Sequence, residues 1–111
     1  MKNYIQPGDT ITVAAPYDLP SGGGALVGSL FGVAAFDALS GASVEIQTTG
    51  VFDLKKTSAQ AWTVGVRVYW DDTNKECTTT ASTNKLIGVA VAPAANPSST
   101  GRVLLSAAFT I

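Results

Sequence analysis

The feature that most constrains this chain is apolar alternation at every second residue. Val64, Val66, Val68 and Trp70 are separated by Gly65, Arg67 and Tyr69. A period of two belongs to a strand, in which successive side chains point to opposite faces. Ser43 to Thr48 repeats the pattern, with Val44 and Ile46 opposite Glu45 and Gln47. Val51 to Lys55 does so again, with Phe52 and Leu54 opposite Asp53 and Lys55. The run Thr10-Ile11-Thr12-Val13-Ala14 is β-branched at four of five positions and is followed closely by Pro16, which lacks the N–H that a continuing strand needs.

The remaining segments point the same way. Between Ala25 and Ala35 an apolar run carries Gly28 and Gly32. Each glycine would cost a helix about 1 kcal/mol relative to alanine, so two short strands around a bend near Gly28-Ser29 are predicted. Ser58 to Trp62 is predicted to make one short helical turn, capped by Ser58. Asp71-Asp72-Thr73-Asn74 has turn chemistry, and Cys77 to Thr80 is expected to return from it as a hairpin partner. Ile87, Val89 and Val91 are predicted to share a face, and Arg102 to Leu105 to open the last strand after a loop at Pro93 to Thr100. About eight short strands at this spacing define an all-β, single-domain β-barrel or sandwich. Its predicted extent is residues 9–111. Residues 1–8, broken by Pro7-Gly8, are expected to form an extended N-terminal arm.

Composition narrows the partners. A chain of 111 residues fits one domain. Charged residues make up 14%, against roughly 25% in an average soluble domain, so part of the surface is expected to be covered by another protein, unless Thr and Ser alone clothe it. Seven Lys and Arg against eight Asp and Glu, with no basic run, argue against nucleic-acid binding. The uncharged stretch between Asp18 and Asp37 is interrupted by Pro20 and five glycines, so no membrane segment is predicted. The opening residues lack the apolar core of a signal peptide, and synthesis in the cytoplasm is expected. Cys77 is the single cysteine, which rules out an intrachain disulfide.

The chain offers little for catalysis. It has no histidine, which removes the usual general base and the commonest metal ligand. Cys77 alone cannot build a zinc site and reads as a buried strand residue. Ser21-Gly22-Gly23-Gly24 lacks the Gly-Lys-Ser/Thr of a phosphate-binding loop and reads as a flexible turn. Asp71 and Asp72 lack the further ligands of a calcium loop. No enzyme activity, catalytic residue, metal or cofactor is predicted. Trp62, Tyr69 and Trp70 are the candidates for an oligomer contact or a binding surface, including a stacking platform for bases or sugars.

Several blocks together resemble a known family. They are Met1 to Asp9, Gly50 to Leu54, Ala61 to Gly65 with Val68 to Asp71, and Ile87 to Ala90 with Gly101 to Val103. In order and spacing they resemble the small phage and prophage proteins grouped as the DUF2190 family, regarded as capsid decoration or cement proteins of tailed phages. The resemblance implies a structural protein of the virion. It would sit on the outer surface of the expanded head, bind the major capsid protein and stabilise the shell across capsomer boundaries. By analogy with other decoration proteins it implies a homotrimer. The arm residues Lys2, Asn3, Tyr4, Ile5 and Gln6 would lie against the coat, adding a strand to an exposed edge of its sheet. The competing readings are a surface-displayed module for glycan or receptor and, behind it, a DNA-handling factor.

Overall fold

A computed structural model describes residues 3, 6 and 8–106. Among these, nine strands and no helix are present: β1 (Thr10–Ala14), β2 (Gly24–Val27), β3 (Leu30–Ala34), β4 (Ser43–Gln47), β5 (Val51–Lys55), β6 (Arg67–Asp71), β7 (Glu76–Thr78), β8 (Lys85–Ala90) and β9 (Thr100–Leu105). The all-β expectation holds, with nine strands where about eight were predicted. Of the expected arm, Lys2, Tyr4 and Ile5 lie outside the described residues, while Asn3 and Gln6 are exposed.

The strands form two antiparallel sheets, one of four strands in the order β1-β4-β3-β2 and one of five in the order β5-β9-β8-β6-β7. The five-stranded sheet curls until its two outer strands meet. Lys56, just past β5, forms a parallel bridge with Cys77 of β7, and Thr57 N–H donates to the Cys77 carbonyl at 2.8 Å. Leu54, Val68, Trp70, Cys77, Ile87 and Val103 fill its interior, all at most 3% exposed. Phe31 and Val33 of β3 join this core from the other sheet, and Ala25, Ala34, Val44 and Ile46 form a second core with Ala15 and Leu19. Strands β2 and β3 thus serve both cores, because their alternate residues face opposite ways.

Three local expectations are corrected. The turn predicted over residues 58–62 is not helical: Trp62 pairs with Ala94, each N–H donating to the other's carbonyl at 2.9 and 3.0 Å. Burying the Trp62 ring, 1% exposed, outweighs the helical preference of five residues. The alternation through Val64 does not begin a strand, because Val66 N–H closes a turn onto the Thr63 carbonyl and Gly65 takes a φ of 91°. Val64 is left exposed. Ile87, Val89 and Val91 do not share a face. Arg67 and Val68 pair with Val89 and Gly88, whereas Tyr69 and Trp70 pair with Leu86 and Lys85. Ile87 is therefore the extra residue of a bulge that turns it inward while Val89 stays on the outer face.

Candidate docking surface

The aromatic side chains marked by the sequence do not form a surface. Trp62 and Trp70 are core residues at 1% and 3% exposure. Tyr69 lies on the opposite face of β6 from Trp70 and is half-buried. Each indole N–H has an internal acceptor, Gln60 Oε1 for Trp62 at 3.3 Å and Asp72 Oδ1 for Trp70 at 3.0 Å. The expected gathering of Trp62, Tyr69 and Trp70 fails because the two tryptophans are the largest apolar bodies available to a small barrel.

The apolar surface lies elsewhere. On the outer face of the five-stranded sheet, Val51 is the direct cross-strand partner of Leu104, and Leu104 is that of Val89. Val51 and Leu104 are 51% and 42% exposed, so three adjacent strands carry an apolar stripe open to solvent. Beside it, Arg102 donates from Nε to Asp53 Oδ1 at 3.0 Å and from Nη2 to Oδ2 at 3.2 Å. The pair holds the Asp53 carboxyl below its ordinary range. The stripe was readable in outline, since a strand that turns Phe52 and Leu54 inward must turn Val51 outward.

A second apolar site is the tip formed by residues 35–42, where Phe36 and Leu39 are 46% and 73% exposed. This tip is held firmly. Leu19 and Ala38 exchange backbone hydrogen bonds, Ser40 N–H donates to Asp18 Oδ1 at 2.8 Å and Ser21 N–H to Asp37 Oδ1 at 2.7 Å. The glycine turn is tied down as well, with Gly22 N–H on the Ala34 carbonyl and Gly23 N–H on that of Pro20. Those N–H groups are therefore not free to cradle a phosphate.

Between the two sheets runs a cleft of about 360 Å³, lined in part by Tyr17, Leu19, Gly23, Leu54, Trp70 and Lys75. Apart from the exposed Lys55 at its rim, its polar side chains are engaged. The Tyr17 hydroxyl accepts from Leu26 N–H at 3.2 Å and donates to the Gly24 carbonyl at 3.0 Å, and burial pushes its pKa up to about 12. The Lys75 ammonium sits 4.1 Å from the centre of the Tyr17 ring and 3.2 Å from Asp72 Oδ1. Asp71 accepts from Thr73 N–H, Asn74 N–H and Asn74 Nδ2, bonds that lower its pKa and close the expected hairpin. Burial pushes the Cys77 thiol up to about 12, the opposite of what a reactive thiolate needs. Among the described residues no three Cys, Asp or Glu side chains converge as a metal set.

The described residues form a small all-β body with tethered loops and open apolar strips. The chain belongs to the phage cement protein family, whose model matches residues 5–105, and this membership implies a role in the phage capsid. No curated protein and no solved structure matches the chain.

Proposed function

We propose that this protein decorates the outer surface of the expanded head of a tailed phage and stabilises it non-enzymatically by bridging neighbouring capsomers. The observation that carries the reading is the family match, which spans both sheets. The exposed stripe of Val51 and Leu104 and the rigid tip of Phe36 and Leu39 support it, because a shell-stabilising protein needs preformed apolar contacts rather than a reactive pocket. The major capsid protein is the partner in this proposal. A homotrimer would repeat each contact three times and add them by avidity. The residues 1–8 arm, including Lys2, Asn3, Tyr4, Ile5 and Gln6, would extend the contact as an added strand. The DUF2190 grouping belongs to the same proposal and rests on the sequence blocks given above.

Co-sedimentation with expanded, undecorated capsids of the parent phage tests the reading. Saturable binding by the full chain, weakened at least tenfold when residues 1–8 are removed, is the expected result. A full chain that stays in the supernatant at every concentration refutes the cement function. Binding to host glycans in place of capsids would favour the surface-display reading.

A further inference from the structure

Four outer strands border the two sheets, and three of them are covered or guarded by charge. β5 and β7 meet only at the Lys56 to Cys77 bridge just past β5, and the rest of the β5 edge carries the charges of Asp53 and Lys55, which guard it. The outer edge of β2 is occupied by the Tyr17 hydroxyl, which accepts from Leu26 N–H and donates to the Gly24 carbonyl in the manner of a paired strand.

Among the described residues, the fourth edge, β1, is open. Thr48 N–H donates to the Asp9 carbonyl and Ala15 N–H to that of Ala42, which sets residues 9, 11, 13 and 15 toward β4. In an antiparallel ladder the intervening residues then direct both backbone groups away, so Thr10, Thr12 and Ala14 present theirs at the free edge. Among the described residues, the side chain of Gln6 alone reaches this row, at 3.5 Å from the Thr10 carbonyl. Soluble proteins guard such edges with lysine, proline, a bulge or an inward charge. Thr10-Ile11-Thr12-Val13-Ala14 contains none of the first two and no charge, and its register with β4 runs without a shift from Thr10↔Gln47 to Ala14↔Ser43.

The geometry points to β1 as a docking edge for an extended segment of the coat protein, which pairs as a fifth strand on the β1-β4-β3-β2 sheet. This rests on the cement reading above. The occupant is extended because the row repeats at strand spacing, which a helix cannot match. It belongs to the coat rather than to a second free copy because three outward residues supply too few hydrogen bonds to hold two freely diffusing chains together. On the capsid the same row acts alongside the apolar contacts and adds to a binding already under way.

The test exploits the orientation of Thr12, whose N–H faces outward and takes no part in the β1 to β4 ladder. Thr12→Pro removes that donor, a substitution tolerated at a strand edge, while Thr12→Ala keeps it. With thermal unfolding showing both variants folded, Thr12→Pro should bind expanded capsids at least tenfold more weakly and Thr12→Ala within twofold of the parent chain. Amide hydrogen exchange of the unmodified chain gives a second readout that needs no variant: Thr12 N–H should exchange markedly more slowly on capsids than free. Capsid binding by the parent chain with unchanged Thr12 exchange, or full binding by folded Thr12→Pro, overturns the docking edge and leaves the cement function standing. Slow Thr12 exchange already present in a self-associated free protein assigns the edge to a second copy and overturns the coat segment. Failure of the parent chain to sediment refutes the cement reading itself.

Discussion

Lys56 carries its ammonium into the interior, where its residue is 2% exposed. Among the described residues no carboxylate meets it. Nζ instead donates to the carbonyls of Thr57 at 2.8 Å and of Ser58 and Ser98 at 3.3 Å, and lies 5.8 Å from the centre of the Trp62 ring. One side chain thereby ties the segment after β5 to the loop before β9, at the place where the barrel closes. Replacing Lys56 by Met keeps the apolar stem and leaves those carbonyls without their donor. The expected loss is about 2 kcal/mol, read as a lower urea midpoint at unchanged slope. The alternation of Phe52 and Leu54 already sends position 56 inward. That a lysine can occupy it follows only from three carbonyls, two of them from nearby residues and one 42 positions away, converging on its tip.

At the scale of elements, glycine decides how closely strands approach. A Cβ on Gly88 would collide with the main-chain carbonyl of Leu104, and one on Gly101 with the Trp62 ring. The first obstacle is backbone and can yield only by separating β8 from β9, the pair that carries Leu104 beside Val89. Gly88→Ala should therefore cost about 3 kcal/mol, while Gly8→Ala, with nothing within 4 Å, should leave the thermal midpoint within a degree or two; differential scanning calorimetry separates the two. Most strands were legible because their alternation is local: β1, β4 and β5 fall where the pattern put them, and β2 and β3 turn at Gly28-Ser29. The bulge at Ile87 was not, because an extra residue in one strand is defined only against its partner. The turn at Val64 is closed by Val66 N–H on the Thr63 carbonyl, and Gly65 N–H is held besides by the distant Ala90 carbonyl, a contact the local alternation does not contain.

For the molecule as a whole, two weak acids, the half-buried Tyr17 and the buried Cys77, make stability depend on alkaline pH. Tyr17 is raised from 10.0 to about 12 and Cys77 from 9.0 to about 12, in both cases first by burial. Both are neutral when protonated, and the folded state holds its protons to higher pH than the unfolded chain does. Their contribution is complete below about pH 9 and is lost as pH rises toward 12. Urea midpoints measured from pH 7 to pH 11 should fall above pH 9, and a Tyr17→Phe, Cys77→Ala variant should begin lower and fall less steeply. An equal slope in the variant would place the alkaline loss on other groups. Tyr17 also holds the edge of β2, so the same residue links alkaline stability to the covering of that edge.

The sequence by itself determined that the chain is all-β, where most of its strands run and that it is poor in the residues of catalysis, since period-two alternation, glycine and proline punctuation and the lack of histidine are local or compositional properties. Only the tertiary structure decided which faces are covered. It sent Trp62 and Trp70 into the core, left Val51, Leu104 and Leu39 outside, and covered the edge of β2 while leaving that of β1 open among the described residues. Burial and edge pairing depend on residues distant in sequence meeting in space, and no window along the chain contains both partners.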